Sequence, residues 1–423
     1  TVVVKKGDSF DVTEFVLNMK SSLPGEEMFE FVLEAVNQPI DWEASFYYNN
    51  QEYTDTADII LEQNLSKEIN FQIIPGETPG IVEFTVKMHS ISHPEAPDKY
   101  LNFFVVSEVT DLVVNGSGGP ESAYYDYVFS EGLTNAGCHS HATISAELLV
   151  QGIYDRAFSE INNLYLNIAW TFPTLTIDQI QSVKSFMDNG GNLLISGQDI
   201  GWDFMSGSAN SHGSPEATDF YQNYLLSDYL NDGNSENYIL YVNPADNVFS
   251  NVANAFLVDI YNGNMYPDNI SALEGADEVF FYESNDKAGV VKAETDTYKV
   301  IYFACGLEMI GQVPITNQIL HLTYNWFNNS LSTEEYEETL FNAISQNFPN
   351  PVSESTTIEL KNLEADAEFN LIDLHGKTIM TFMVEKGSKT IDLDLTELAP
   401  GTYFYYLNLN GQKIGNRKLI VVR

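Results

Sequence analysis

The sequence predicts a multidomain protein, in which a β-sandwich is followed by an α/β domain and then by a small C-terminal β-sandwich. Three observations predict this order. Apolar and polar residues alternate through the first part of the chain, which is the period of half-buried strands. Helical patterns then alternate with short apolar runs, and strand patterns return near the C-terminal end. A chain of 423 residues is long enough to form three cores.

The composition limits the classes of partner. The chain has 60 acidic and 19 basic residues and a formal net charge of −41. Such a surface repels phosphates and anionic lipids, so we expect no nucleic acid partner. No apolar run reaches the ~20 residues that a membrane-spanning helix needs, so we expect no transmembrane segment. Because the sequence opens at Thr1 without Met, we expect that an export signal has been removed.

Residues 1–108 form the first predicted domain. Val82, Phe84 and Val86 alternate with polar residues, and turn signals such as Pro79-Gly80 separate the apolar runs. Seven or so short strands in about 100 residues predict an immunoglobulin-like (Ig-like) β-sandwich.

Two segments of this first domain resemble a known family. They are DWEASFYYNNQEY and INFQIIPGETPGIVEFTVKMHSISHPE, and they resemble the sandwich module of Omp28-related surface proteins of Bacteroidetes. Members of that group often carry a thioredoxin-like domain with a CxxC motif, which this sequence lacks. Asp55-Thr56-Ala57 fits the short pattern on which Bacteroidetes attach O-glycans, so this lineage implies O-glycosylation of Thr56.

Residues 109–330 form the second predicted domain. A short apolar strand at 109–114 leads into a Gly-rich turn, and later strands alternate with helical patterns. In one predicted helix Thr176 is the N-cap and Gly190-Gly191 ends the helix. This alternation predicts an α/β domain with a largely parallel sheet of the flavodoxin type.

The segments VVNGSGGPESAYYDYVF, TLTIDQIQSVKSFMDNGGNLLISGQDIGWD and YKVIYFACGLEMIG resemble the class I glutamine-amidotransferase-like domain of secreted proteins. In catalytic relatives the nucleophile occupies the sharp turn after the central strand, where this chain has Gln198. An amide cannot form the acyl intermediate. The acidic run that often follows the first strand is replaced by Asn115-Gly116-Ser117. Both departures imply a non-catalytic module, so we lean towards a protein that is not an enzyme.

A ligand is expected at the carboxyl ends of the parallel strands. Residues 109–330 contain 27 acidic and 5 basic residues, which favours a neutral polar ligand such as a glycan, or a cation. Ca²⁺ prefers several oxygen ligands, but no D-x-D-x-D-G loop occurs, so any calcium site would be irregular and we predict no other cofactor or metal. The predicted ligand-binding residues are Asn115, Ser117, Trp170, Gln198, Asp199 and Trp202.

Other residues could still supply a catalytic group. Cys138 stands in the run Cys138-His139-Ser140-His141, which could form a thiolate pair or a metal site, but zinc needs at least three protein ligands. Cys305 lies in an apolar run, where we expect a buried side chain that packs as a small hydrophobic group. A disulfide between Cys138 and Cys305 is an alternative that the sequence leaves open. His212 and Glu216 could form an acid/base pair beside Gln198 or Asp199.

Residues 331–347 are predicted to be a polar linker, and residues 348–423 a small β-sandwich. Several motifs of this tail occur in the order and spacing of the type A sorting domain of type IX secretion, which the tail resembles. That resemblance implies passage from the periplasm through the outer-membrane translocon and capture by a PorV-like β-barrel. The residues that carry it are Pro349, Asn350, Pro351, Asp373, Gly376, Pro400, Gly401, Tyr403 and Lys418.

Together these patterns predict a Bacteroidetes cell-surface or secreted protein with a non-catalytic binding or display role, towards a glycan or a protein. Two alternatives stay open. One is a secreted hydrolase with its site in residues 109–330, and the other is an accessory subunit of an outer-membrane complex.

Overall fold

A computed structural model describes residues 2–21, 24–116, 125–234, 237–282, 287–329, 344–360, 366–373, 377–409 and 412–422. The chain forms two compact units, Thr1–Asn328 and Asn329–Arg423. Strands account for 45% of the structure and helices for 17%, spread over several sheets. The predicted multidomain, β-rich architecture is therefore confirmed. The boundary predicted at residue 108 stays a prediction, and most of the predicted linker lies outside the described residues.

The first nine strands form two sheets. One has the order β1-β9-β8-β3-β6 and the other the order β2-β7-β4-β5. Their bounds are β1 (Val3–Lys6), β2 (Thr13–Lys20), β3 (Glu26–Val36), β4 (Glu43–Tyr48), β5 (Gln51–Tyr53), β6 (Thr56–Glu62), β7 (Ser66–Ile74), β8 (Gly80–Ser90) and β9 (Lys99–Ser107).

The alternation that the sequence shows determines which side chains these two sheets bury. Val82, Phe84 and Val86 of β8 are fully buried, and they share one core with Phe46 of β4 and Phe71 of β7. Each such side chain contributes roughly 1.5–3 kcal/mol by leaving water. Strand and face were therefore predictable from period two.

A single larger sheet follows. Its order is β11-β10-β12-β13-β20-β19-β18-β15-β16, while β14 pairs with β17 and β17 with β19. The pairs from β11 to β20 are parallel, and the pairs beyond β20 are antiparallel. The strands are β10 (Asp111–Asn115), β11 (His141–Ser145), β12 (Asn163–Ala169), β13 (Asn192–Gly197), β14 (Ser227–Asn231), β15 (Ile239–Val242), β16 (Ala255–Phe256), β17 (Asn269–Ala272), β18 (Ala276–Tyr282), β19 (Lys287–Glu294) and β20 (Lys299–Phe303).

Helices cover this larger sheet, since every residue of β12 is buried. They are α1 (Asp126–Asn135), α2 (Ala146–Tyr154), α3 (Ile177–Asp188), α4 (Ile200–Met205), α5 (Pro215–Asp219) and α6 (Val313–Phe327), with a π-helical turn at Phe220–Tyr224 and a 3₁₀ turn at Leu307–Met309. As predicted, Thr176 caps the N-terminus of α3. Its side chain accepts a hydrogen bond from Gln179 N, and Thr176 N donates a hydrogen bond to Gln179 Oε1. Gly190 follows the helix at φ +95°.

The C-terminal unit contains two small antiparallel sheets, β21-β24 and β23-β22-β25-β26. Phe369, Tyr405 and Leu419 belong to its core. The strands are β21 (Ser355–Glu359), β22 (Ala367–Ile372), β23 (Thr378–Val384), β24 (Thr390–Asp394), β25 (Gly401–Leu409) and β26 (Gln412–Val421).

Several of the predicted sorting residues hold turns of this C-terminal unit. Asn350 accepts a hydrogen bond from Ile420 N and donates to Lys418 O, each at 2.9 Å. Asp373 closes its turn by accepting from Lys377 N, and the Tyr403 hydroxyl donates to Ala399 O. The other six lie in or beside these turns and strands, except that Gly376 lies outside the described residues.

Candidate functional site

The predicted ligand-binding residues lie where the parallel strands end. Asn115 ends β10, Trp170 follows β12, and Gln198 and Asp199 follow β13. Parallel strands bring their carboxyl ends to one edge of the sheet, which is where such folds bind ligands. Ser117 lies outside the described residues.

The side chain of Gln198 is used within the protein. Its Nε2 donates to Asn264 O at 2.9 Å, and its Oε1 accepts from Tyr266 N at 2.8 Å. The residue is buried, so these bonds satisfy an amide that water does not reach. Gln198 therefore fixes the loop at 264–266 to the end of β13.

Asp199, rather than Gln198, adopts the unusual backbone conformation of this turn. Its φ is +64°, in the left-handed region, which costs a residue other than glycine roughly 1–3 kcal/mol. Strain of this kind is concentrated at functional sites. Asp199 Oδ2 accepts from Trp170 Nε1 at 2.7 Å. Burial, reinforced by nearby Asp232 and Asp203, raises the pKa of Asp199 to about 7 despite the indole bond.

Two further aspartates join Asp199. One carboxylate oxygen each of Asp199, Asp232 and Asp268 lies within 4.8 Å of the other two, and we call these residues the carboxylate cluster. Asp268 is fully buried, and its Oδ2 accepts from Trp202 N at 3.0 Å. Burial, followed by repulsion from Asp199, raises the pKa of Asp268 well above its usual range.

Sequence reasoning missed Asp232 and Asp268. Asp232 precedes Gly233 and Asp268 follows Pro267, so both positions indicate turns and nothing more. The missing information was the sheet order, because the two residues lie beside β14 and β17, which pair with each other.

A continuous row of aromatic rings lies beside the cluster. The ring centroids are separated by 5.6 Å between Trp202 and Phe172, 6.3 Å between Phe172 and Trp170, 5.4 Å between Trp170 and Tyr261, and 6.4 Å between Tyr261 and Tyr125. We call these five residues the aromatic row. Phe172 is 40% exposed, and Trp170, Trp202 and Tyr125 are half-buried. Neighbouring ring planes are inclined by 46° to 87°, so the exposed members offer separate apolar faces with polar tips.

A further carboxyl group, that of Glu308, contacts the row at Tyr261. The Tyr261 hydroxyl donates to Glu308 Oε1 at 2.6 Å, and Glu308 lies just after β20. Burial raises the pKa of Glu308 to about 7 against the opposing effect of the Tyr261 hydrogen bond. Sequence reasoning missed Glu308 because its neighbours form only an apolar run.

The cysteines lie at opposite edges of the sheet. Cys138 lies shortly before β11, at the amino ends of the parallel strands, whereas Cys305 follows β20 at the carboxyl ends. Both thiols are free and buried. Burial and the charge of Asp111 raise the pKa of Cys138 to about 12, so the reactive thiolate is scarce at neutral pH. The disulfide that the sequence left open is not formed in the structure.

The side chain of His212, which could have paired with Glu216, contacts Asp203 instead. His212 Nδ1 lies 2.7 Å from Asp203 Oδ1, while Glu216 lies in the first turn of α5. Asp203 is fully buried. It also accepts a hydrogen bond from His212 N and, through Oδ2, one from Thr174 N.

His141 Nε2 lies 3.0 Å from Thr134 Oγ1, near Cys138 and away from the carboxyl edge.

Comparison with known proteins identifies the tail. Residues 346–422 match the family described as the secretion system C-terminal sorting domain, as the motifs predicted. The protein is therefore a type IX secretion substrate, which is secreted and surface-attached. Among the described residues, no helix combines the length and apolar character needed to cross a bilayer.

Solved structures show weak similarity to part of the chain. A ThuA-like protein from Parabacteroides merdae has 9% identity and a TM-score of 0.37, covering 55% of this chain and 94% of that one. A ThuA-like protein from Bacteroides uniformis has 11% identity and a TM-score of 0.35, covering 52% and 91%. An exo-β-1,4-mannosidase from an Opitutaceae bacterium has 11% identity and a TM-score of 0.35, covering 52% of this chain but 36% of its own. No curated protein sequence matches the chain.

Proposed function

We propose that this exported protein binds a neutral glycan at the carboxyl edge of its larger sheet. The aromatic row is the observation that carries the proposal. Sugar rings present apolar C–H faces that pack on flat aromatic side chains, and their hydroxyls need polar groups at the rim. The row supplies the faces, while Asp199 and Asn115 supply polar groups beside it.

The charge around the row supports a neutral ligand. Residues 109–330 carry 27 acidic and 5 basic residues, and Arg156 is the single arginine among them. Lys292 is buried against Asp246 at 2.8 Å, so its charge is already paired. An anionic ligand would meet repulsion without a guanidinium to bind it.

The strand order supports the finer fold proposal for this part of the chain. Counted from β10, the parallel strands have the order 2-1-3-4-5, which is the flavodoxin-like order. Its switch point lies between β10 and β12, beside Asn115 and Tyr125 at one end of the aromatic row. We propose that this part of the chain is an amidotransferase-like domain without a nucleophile, and that the part before it is an Ig-like sandwich. We also propose that a PorV-like barrel captures the tail.

Binding can be tested by screening the full chain against neutral and acidic oligosaccharides, followed by calorimetry on the best ligand. Phe172→Ala and Trp202→Ala should each weaken binding at least tenfold, since stacking area is lost. Tyr154→Ala is the matched control, because Tyr154 is 82% exposed and does not belong to the row. Retention of full affinity in both row variants, or a preference for acidic glycans, would overturn the proposal.

A hydrolase at the same edge is the second candidate. Asp199 and Glu308 both have a pKa of about 7, which suits general acid or base catalysis near neutral pH. Incubation of the bound glycan with wild type, Asp199→Asn and Glu308→Gln distinguishes the two functions. Cleavage by wild type that either variant abolishes would establish the hydrolase, and an intact glycan would leave binding alone.

A further inference from the structure

Three separate segments bring acidic side chains into the carboxylate cluster. Asp199 precedes α4, Asp232 follows β14, and Asp268 precedes β17. Their oxygens lie within 4.8 Å of one another, and Asp199 and Asp268 are buried while Asp232 is exposed. Like charges this close repel, and burial removes the water that would screen them. A bound cation would relieve this repulsion.

Buried oxygen atoms around the cluster also lack partners. Asp268 Oδ1 has no hydrogen-bond donor among the described residues. The hydroxyl of Tyr221 is fully buried and faces the same space. A Cβ atom added to Gly201 would lie 2.7 Å from this hydroxyl oxygen and 3.0 Å from Asp268 Oδ2, so both oxygens border Gly201. This hydroxyl lies near Ser227 and Tyr302 but makes no hydrogen bond of normal geometry within the described chain. Buried polar atoms are nearly always satisfied, so a bound group is indicated.

We propose that Asp199, Asp232 and Asp268 together bind one Ca²⁺ ion. Calcium takes six to eight oxygen ligands at about 2.3–2.6 Å, so ligands on opposite sides lie up to about 5 Å apart. That distance accommodates three carboxylate oxygens that all lie within 4.8 Å of one another. Mg²⁺ demands near-ideal octahedral geometry and usually keeps several of its waters, so a set of three protein carboxylates favours Ca²⁺. The exposed side of Asp232 leaves access for the ion and its water ligands.

The exported location fits a calcium site of modest affinity. Extracellular calcium modules bind with a dissociation constant of about 10⁻⁴–10⁻³ M. Asp199 also accepts from Trp170, so the ion would hold the turn that supports the aromatic row. The cation site does not require the proposed glycan, and either proposal can fail while the other stands.

The test is calorimetric titration of CaCl₂ into the full chain after removal of cations with a chelator. We expect one site per chain, and a melting temperature about 5 °C higher at 10 mM CaCl₂. Asp232→Asn and Asp268→Asn should each weaken binding at least tenfold and abolish the thermal shift. Asp58→Asn, an exposed site in β6 with the same loss of charge, should change neither.

The exposed position of Asp232 keeps the test decisive if the buried Asp268 variant does not fold. Unchanged calcium binding in Asp232→Asn would overturn the proposal, as would the absence of a saturable site in wild type. MgCl₂ that binds as tightly as CaCl₂ would overturn the choice of ion.

Discussion

Trp170 Nε1 donates a hydrogen bond of 2.7 Å to Asp199 Oδ2. This bond joins the aromatic row to the carboxylate cluster and ties the residue after β12 to the strained turn after β13. The aromatic row and the carboxylate cluster are thus parts of one connected edge. Changes to this bond should affect stability as well as binding.

Trp170→Phe keeps an aromatic ring but removes the donor to Asp199. A buried carboxylate without its donor costs about 1–3 kcal/mol, so we expect the free energy of unfolding at pH 8 to fall by that amount. Urea unfolding of the full chain measures it. Trp202→Phe leaves the bond intact and is the control. Equal stability of Trp170→Phe and wild type would contradict the structural role of this bond.

Glu308 should make stability depend on pH. Its folded pKa of about 7 lies above the usual 4.5, so the folded state holds the proton more tightly than the unfolded chain. The stabilisation that the neutral Glu308 carboxyl contributes to the folded state is complete below about pH 4.5. It is lost as the pH rises through 7. Glu308→Gln cannot lose that proton and should exceed wild type in the free energy of unfolding by about 3 kcal/mol at pH 8.

Unfolding curves of wild type and Glu308→Gln at pH 5, 6, 7 and 8 measure this difference. Glu131→Gln, on the exposed side of α1, controls for the loss of one surface charge. A difference between Glu308→Gln and wild type that does not grow with pH would show that Glu308 is ionised in the folded state.

Asp203 should matter far more than His212. Asp203→Ala leaves the buried Thr174 N and the two His212 groups without their acceptor, which should cost about 2–4 kcal/mol. His212→Ala removes a single bond from a side chain that is 47% exposed, so we expect a loss below about 1 kcal/mol. Equal losses in chemical unfolding of the two variants would contradict this assignment.

The two cysteines should be unreactive in the native protein. Both are buried, and the pKa of Cys138 is about 12, so little thiolate exists at pH 8. A thiol reagent should label fewer than one site per chain before unfolding and two sites in guanidinium chloride. Rapid labelling of Cys138 in the native state would restore it as a candidate nucleophile.

Asn350→Ala should loosen the end of the last strand. It removes the bonds to Ile420 N and Lys418 O, so the Ile420 amide should exchange its hydrogen at least tenfold faster. Lys418→Ala is the matched control, because Lys418 contributes its main-chain oxygen to that bond. Unchanged exchange in Asn350→Ala would show that β26 is held by its sheet partners alone.

Local features of the fold could be predicted from neighbouring residues. Thr176 and Gly190 mark the ends of α3, and the alternation around Phe84 gives the buried face of β8, because capping and pleat geometry depend on a few adjacent positions. The sorting domain was equally predictable, since its motifs lie in order along the chain.

The sequence by itself thus determined the secondary-structure types, the sorting tail and the acidic charge. The tertiary structure decided that Gln198 is held by Tyr266 N and Asn264 O, that Cys138 lies at the edge opposite Cys305, and that Asp232 and Asp268 meet Asp199. Local patterns depend on contacts a few residues apart. The site depends on strand order and on loops that join distant segments, which no local period encodes.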